Sequence, residues 1–252
     1  MEIGYLCADL LNFEQVRMNV VTGGSGFLGG HLICQLLQGG ASVRALKREH
    51  SDLRRFQRIF ALYFPDRAPA DFPLQWLTGD VLDPAACLEL IGPGDQVYHC
   101  AASVHFKDGH DEHLSLVNVQ GTANIVNACV EKKAAMLLFV SSVGAFADAV
   151  DGSLISEASA DSASPHSSAY ANSKRAAERE VRRGLAEGLP AVIVNPSVIT
   201  GPGEAENGLA ALVHIVRKGL KYYPCGANGW VDVRDVACAM QRLMSPEFTG
   251  ER

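Results

Sequence analysis

The chain has 252 residues, of which 48% are hydrophobic and 20% charged, and its formal net charge at pH 7 is -6. This length can bury a substantial core, and the composition is ordinary for a soluble globular protein. The scattered basic residues exclude an electrostatic footprint for nucleic acid or an anionic membrane, and no stretch approaches the roughly 18 apolar residues of a membrane span.

The N-terminal segment differs from the rest of the chain. Residues 1–17 precede the first strand and lack a basic start before an apolar run, so we predict an extension outside the fold rather than a signal peptide.

Seven cysteines without a pairing pattern indicate reduced thiols and a cytoplasmic protein.

Apolar runs alternate with helical patterns along the rest of the chain. Strands are predicted at residues 18–22, 42–46, 74–78, 96–101, 135–141 and 191–195, and helices at 27–38, 114–132, 168–187 and 233–244. Strands that read as continuous Val/Leu runs between helices predict an α/β fold with a doubly wound parallel sheet covered on both faces. We assign residues 18–195 to a nucleotide-binding domain and 196–252 to part of a substrate-binding region that is short at its C-terminus.

A glycine-rich turn follows the first strand. Gly23, Gly26 and Gly29 stand at the spacing of a dinucleotide-binding turn, where glycine permits a tight bend, a close approach of the backbone to a pyrophosphate and close packing of helix on strand. The start of the next helix would offer free N–H groups to the phosphates. A purely structural turn is the alternative, and the alternating pattern behind the motif favours the dinucleotide.

The end of the second strand bears on the choice of dinucleotide. An acid there would accept a hydrogen bond from the ribose 2′-hydroxyl of NAD, but this chain has Lys47 and Arg48. Two cations suit a 2′-phosphate, so the sequence favours NADP(H), with NAD(H) and a merely solvated basic pair as alternatives. Asp80, after the third strand, either accepts from the adenine amino group or caps a turn.

Tyr170 and Lys174 are four residues apart on a predicted helix and therefore share a face. A nearby ammonium favours the phenolate, so we expect Lys174 to lower the pKa of Tyr170 and to suit it for acid–base work. Ser142 ends the fifth strand, at the sheet edge where open parallel sheets bind ligands. The alternative, a surface pair on a charged helix, is disfavoured by the order of the other motifs.

Taken together, these motifs resemble those of the extended short-chain dehydrogenases/reductases, which include the NAD-dependent epimerase/dehydratase family and dihydroflavonol reductases. The similarity covers residues 18–252 and rests on segments 22–29, 79–83, 97–102, 118–122, 140–142, 170–174 and 195–197. It implies a Rossmann-type fold and an NAD(P)-dependent oxidoreductase acting on a small carbonyl or alcohol substrate, with no metal. The family precedent is a homodimer.

The resemblance also implies individual roles. Tyr170 would be the acid/base, Lys174 would hold the nicotinamide ribose, Ser142 would orient the substrate and Asn118 would support the site. The implied cofactor contacts are Gly23, Gly26, Phe27, Leu28, Gly29, Lys47, Arg48, Asp80, Val81, Ala101, Ala102, Lys174, Pro196 and Ile199.

Two other activities remain open at this stage. The first is a sugar-nucleotide epimerase or dehydratase with tightly held NAD, which segment 226–236 disfavours because it is more like the reductase branch. The second is a nucleotide-sensing relative without chemistry, which the intact Ser142, Tyr170 and Lys174 disfavour. His105, His110 and His113 do not match a zinc pattern and are interpreted as a polar loop.

Overall fold

The computed structural model describes residues 17–104, 111–146, 156–157, 167–203, 216–219 and 229–252. Within these ranges, strands β1 to β6 span Asn19–Thr22, Val43–Lys47, Leu74–Thr78, Gln96–His99, Met136–Val140 and Ala191–Val194. They form one parallel sheet in the order β3-β2-β1-β4-β5-β6. The predicted Rossmann-type sheet is confirmed, while the N-terminal extension predicted at 1–17 lies, apart from residue 17, outside the described residues.

The order of strands reverses at β1. Strand β1 pairs with β2 on one side and with β4 on the other, and Thr22 of β1 lies opposite His99 of β4. In doubly wound sheets, ligands bind in the crevice at the carboxyl ends of the strands where this reversal occurs. The topology therefore places the glycine turn, which follows β1, at the ligand-binding edge.

The described part of the chain contains seven α-helices, α1 to α7, at Phe27–Gln38, Arg54–Tyr63, Pro84–Leu90, Asp111–Ser115, Gly121–Lys132, Ala169–Ala186 and Val233–Leu243. The predicted bounds of α1, α6 and α7 agree with these to within one residue at each end, whereas α2 and α3 are absent from the sequence predictions. No helix within the described ranges is both long enough and apolar enough to cross a membrane.

Helices cover both faces of the sheet. On one face α1, α2 and α7 bury Ile33, Phe56 and Met240 against the strands. On the other face α3, α5 and α6 bury a second cluster that includes Val126 and Val181. All five residues of β5, which has a neighbouring strand on each side, are buried, and this explains its continuous apolar sequence.

One predicted helix is broken in the structure. The pattern at 114–132 predicts a single helix, but α4 passes into a π-helical turn, Leu116–Gln120, before α5 begins. Apolar periodicity does not distinguish a π-turn from an α-turn, and such turns often mark functional sites. Here the turn contains Asn118, which is 1% exposed.

A small second sheet lies beside the main one. Strands β7, Val198–Thr200, and β8, Trp230–Asp232, pair in parallel. Side-chain contacts tie this region to α1: His31 bonds the carbonyl oxygen of Pro202 at 2.9 Å, and Gln35 donates to the carbonyl oxygen of Arg234 at 3.0 Å. The residues beside β7 and β8 therefore pack directly on α1.

Candidate active site

The glycine turn brings the backbone of β1 close to the end of β4. Gly23 has φ of +70°, and a Cβ atom there would lie 2.7 Å from the amide nitrogen of Ala101. Gly26 precedes α1 and has no side chain to cap it, so the first amide groups of the helix stay accessible to an anion. The turn thus needs glycine for its close approach to the end of β4, and it leaves backbone amide groups exposed at the start of α1.

A cavity of about 760 Å³ opens beside this turn, at the carboxyl ends of β1 to β4. Its volume is within the range of small-molecule and cofactor sites. The predicted cofactor residues that line it are Gly23, Gly26, Lys47, Arg48, Asp80, Val81, Ala101 and Ala102. The structure therefore brings together residues from four separate segments of the chain.

Other predicted cofactor residues lie elsewhere. The ring of Phe27 packs against His31 with 5.3 Å between ring centroids, and Leu28 and Ile199 pack against the core. Gly29 packs against the carbonyl group of Gly23. Pro196 lines a separate, largely apolar cavity of about 390 Å³ between β6 and α7.

One wall of the larger cavity is basic. Lys47 and Arg48 are joined there by Arg54, Arg55 and Arg58 from α2. Arg54 differs from the others, because it forms an ion pair of 2.7 Å with Asp52 and lowers the pKa of that carboxyl to about 2. Within the described ranges, no ion pair joins Lys47, Arg48 or Arg55 to a carboxylate, so their charges are available to a ligand.

Asp80 follows β3, the strand that pairs with β2. Its Oδ1 atom accepts a hydrogen bond of 2.9 Å from the amide of Leu82, so it caps the turn after β3. It also lines the cavity. The turn-capping alternative is therefore observed, and the adenine contact stays a prediction.

Ser142 and Tyr170 meet through their hydroxyl groups. Ser142 ends the segment after β5, and its Oγ accepts from the amide of Gly144 at 3.2 Å. Ser168 caps α6 by accepting from the amide of Ala171, which sets Tyr170 in the first helical turn. A side-chain hydrogen bond joins Ser142 to Tyr170.

The electrostatics of Tyr170 differ from the sequence prediction. Burial raises the pKa of its hydroxyl, and the hydrogen bond with Ser142 opposes that rise. The expectation that Lys174 lowers the pKa is not met in this structure, because burial outweighs the stabilising contacts. Tyr170 therefore stays protonated at neutral pH, as a proton donor requires.

Lys174 lies one helical turn beyond Tyr170 and is 3% exposed. Its Nζ donates to the carbonyl oxygen of Val140 at 2.7 Å and lies 4.9 Å from the centre of the Phe139 ring. Burial lowers the pKa of this ammonium to about 8, with Cys100 and Glu178 acting in the opposite direction. A lysine in this state can exchange its proton near neutral pH.

Asn118 supports the site from below. Its Oδ1 accepts from the amide of Ser103 at 2.7 Å, and its Nδ2 donates to the Ser103 carbonyl at 3.0 Å and to Ser173 Oγ at 2.9 Å. Since Ser103 lines the cavity and Ser173 lies on α6, this amide joins the loop after β4 to the helix of Tyr170. Its position agrees with the supporting role that the resemblance implies.

A buried hydrogen-bond chain that the sequence did not predict runs through His99. Thr122 donates to the carbonyl oxygen of Asn118 at 2.6 Å and so accepts from His99 Nε2. Thr22 accepts from the amide of Ala101 and donates to His99 Nδ1 at 2.7 Å. Only the tautomer protonated at Nε2 satisfies every partner. Burial lowers the pKa of His99 to about 3, so the ring is neutral.

Two polar side chains behind Ser142 were also missed. Glu178 is fully buried on α6, and Asn195 follows β6. The Asn195 amide bridges Glu178 and the backbone of Ser142. Sequence spacing gave no sign of this contact, because its members lie on three separate elements.

The histidines of the polar loop are only partly described. His113 lines the larger cavity. His105 and His110 lie outside the described residues.

Comparisons with known proteins agree with this geometry. The model of the NAD dependent epimerase/dehydratase family matches residues 19–251. A putative dihydroflavonol 4-reductase of Synechocystis sp. is 33% identical over 240 residues, which cover 92% of this chain and 65% of the relative. Cinnamoyl-CoA reductase 1 of Oryza sativa subsp. japonica is 30% identical, and the match covers 90% of this chain and 68% of that protein.

Solved structures show the same likeness. The dTDP-glucose 4,6-dehydratase DesIV of Streptomyces venezuelae, with NAD and TYD bound, is similar with a TM-score of 0.75 at 25% sequence identity. The similarity covers 93% of this chain and 74% of that one. The chain thus spans about three quarters of this structure and 65% of the Synechocystis relative.

Proposed function

The chain belongs to the NAD-dependent epimerase/dehydratase family, and from that membership we propose that it reduces a ketone or aldehyde with NADPH in a reversible reaction. The observation that carries this proposal is the Ser142–Tyr170 hydroxyl pair with the buried Lys174 one helical turn away. It is supported by the Synechocystis and rice relatives, which are named as reductases.

The residues of the larger cavity fit a nicotinamide dinucleotide. The Gly23 turn approaches the end of β4 so closely that a Cβ atom would overlap the backbone there, and the uncapped start of α1 suits a pyrophosphate. When bound, the dinucleotide supplies the hydride that this chain's own side chains cannot provide. We assign the binding of this cofactor to residues 18–195, and part of the substrate-binding region to 196–252.

The basic wall supports a preference for NADP(H). Cations without carboxylate partners suit a 2′-phosphate, and among the described residues no carboxylate pairs with Lys47, Arg48 or Arg55, which line the cavity. Arg54 does not, since Asp52 already neutralises it. We therefore assign Lys47 and Arg48 to the phosphate, as their place after β2 predicts.

The hydroxyl pair supplies the acid. A substrate carbonyl oxygen that replaces the contact between Ser142 and Tyr170 would accept a hydrogen bond from each. Negative charge that grows on this oxygen during reduction is stabilised by both donors. Tyr170 gives its proton to the oxygen, and the raised pKa keeps the phenol protonated before that step. Lys174, with its pKa near 8, helps Tyr170 to recover the proton.

A sugar-nucleotide epimerase or dehydratase is the second candidate. The likeness to DesIV, which has NAD bound, favours it. The basic residues Lys47 and Arg48 at the end of β2 count against it, because NAD has no 2′-phosphate for them to bind.

The first test is to titrate the purified protein with NADPH and NADH by nucleotide fluorescence and to identify any nucleotide retained through purification. Preference for freely exchanging NADPH, followed by its steady consumption with a panel of carbonyl compounds, supports the reductase. Tightly retained NAD would support the epimerase or dehydratase instead, and binding without consumption would support a sensor.

A further inference from the structure

The backbone of Ser142 accepts a hydrogen bond from the side chain of Asn195, which directly follows β6. Asn195 Nδ2 donates to the carbonyl oxygen of Ser142 at 3.0 Å and, through its second N–H, to Glu178 Oε1 at 2.8 Å. We propose that Asn195, oriented by Glu178, is a positioning residue that holds Ser142 at Tyr170. This inference rests on the proposed function, in which Ser142 orients the substrate.

Glu178 fixes which way the Asn195 amide points. If the amide were flipped, its oxygen would face two acceptors, the Glu178 carboxylate and the Ser142 carbonyl. Such a contact would leave buried acceptors without donors. The carboxylate therefore selects the orientation in which Asn195 can grip Ser142.

The negative charge of Glu178 is itself compensated. The carboxylate is fully buried, and its Oε2 faces Arg252 at 3.0 Å and Arg182 at 3.4 Å. Its Oε1 also accepts from the hydroxyl of Ser141. A buried charge with partners on both oxygens is held in one geometry, which makes it a rigid reference for Asn195.

Three hydrogen bonds join the end of β5 and the residues after it to the end of β6 and the residues after it, and the bond from Asn195 is the middle one. On either side of it, the amide of Ser141 donates to the Val194 carbonyl at 2.8 Å, and the amide of Val143 donates to the Pro196 carbonyl at 3.1 Å. These two bonds are made by backbone and survive any side-chain change. Of these three hydrogen bonds, only the middle one depends on a side chain, and its acceptor is the backbone of Ser142, whose hydroxyl contacts Tyr170.

Tyr170, Lys174 and Glu178 are spaced four residues apart on α6 and so lie along one face of the helix. The same helix face therefore carries Tyr170, the proposed acid, and Glu178, which orients the Asn195 amide toward Ser142. Errors in hydroxyl placement on the order of 1 Å can cost about 100-fold in rate. The Glu178–Asn195 bridge limits such errors.

The test is a double-mutant cycle with Asn195→Ala and Ser142→Ala, assayed with NADPH and the best carbonyl compound found. We expect Asn195→Ala to lower kcat about 10-fold with the KM for NADPH unchanged, since Asn195 does not line the larger cavity. In the Ser142→Ala background the same change should have no further effect on kcat. Asn19→Ala is the matched control, because it also removes an amide donor to a backbone carbonyl, that of Ser42, at the opposite edge of the sheet.

Equal loss of kcat from Asn195→Ala in both backgrounds would overturn the inference, since Asn195 would then act independently of Ser142. Amide hydrogen exchange of Val143 and Gly144 gives a second readout that needs no turnover. We expect faster exchange in Asn195→Ala than in Asn19→Ala, and unchanged exchange would also overturn the inference. If Ser142→Ala keeps wild-type turnover, or no carbonyl compound is reduced, the proposed function fails, and the exchange result alone then decides whether Asn195 fixes the Ser142 segment.

Discussion

The ammonium nitrogen of Lys174 lies 2.7 Å from the carbonyl oxygen of Val140, although the lysine side chain is almost wholly removed from solvent. One backbone carbonyl does not replace the hydration of an ammonium group, so the charged form is disfavoured. The folded protein consequently holds the proton of Lys174 less tightly than the unfolded chain does.

This difference predicts a pH-dependent stability. The pKa of Lys174 is about 8 in the folded protein and 10.5 as its reference value, so the folded state binds fewer protons between these pH values. Stability from this group therefore rises with pH across that window, by up to about 3 kcal/mol, and the full penalty is present below pH 8. Urea unfolding of wild type and Lys174→Met between pH 7.5 and 10 measures it, because the other titrating groups are common to both. A difference in unfolding free energy that stays flat over this range would contradict the assigned burial.

Tyr170→Phe should separate binding from chemistry. The change removes the proposed proton donor but keeps the ring, so we expect the Kd for NADPH to change less than 3-fold and kcat to fall roughly 100- to 10,000-fold. Nucleotide titration and single-turnover kinetics measure the two effects. Retained turnover would remove Tyr170 from its proposed role.

Gly23 and Gly40 form a matched pair for testing the glycine turn. Both have positive φ, +70° and +79°, but a Cβ atom at Gly40 meets nothing within 4 Å, whereas one at Gly23 would overlap the backbone of Cys100 and Ala101. We expect Gly40→Ala to cost about 1–2 kcal/mol of stability and to leave nucleotide binding intact. Gly23→Ala should be less stable still and should weaken binding more than 10-fold. Thermal unfolding and nucleotide titration test both, and equal affinities in the two variants would argue against a nucleotide cradle.

Arg48→Ala should discriminate between the two dinucleotides. Loss of an exposed cation that contacts the 2′-phosphate should weaken NADPH binding about 10-fold and leave NADH binding unchanged. Arg54→Ala is the control, because Asp52 already pairs with Arg54. If both variants weaken NADPH and NADH equally, the phosphate does not lie at Arg48.

Patterns within single segments predicted much of the fold. The strands and α1, α6 and α7 follow from apolar runs, helical periodicity and glycine stops, which are local properties of the chain. The sheet formed by β7 and β8 could not be predicted in this way, because its strands are three residues long and pair across about 30 residues of sequence. The π-turn at Asn118 was missed because a one-residue insertion leaves the apolar periodicity nearly unchanged.

The candidate site, too, was predicted where local motifs sufficed and missed where tertiary packing decides. The order of motifs predicted that Ser142, Tyr170 and Lys174 come together, but it gave no measure of burial. Burial reverses the expected direction for the pKa of Tyr170. Asn195 and Glu178 escaped prediction because their contacts depend on how α6 and the ends of β5 and β6 pack.

The hydrogen bonds through His99 have a single direction, which is set by the groups at the two ends of the chain. To pass a proton along it, Thr22 and Thr122 would both have to reverse their hydroxyls, and Asn118 would lose its hydroxyl donor, at a cost of about 1–3 kcal/mol. Protonation of the ring is also unfavourable at neutral pH, because burial lowers its pKa to about 3. The polar side chains between β1, β4 and α5 therefore keep one fixed hydrogen-bond direction.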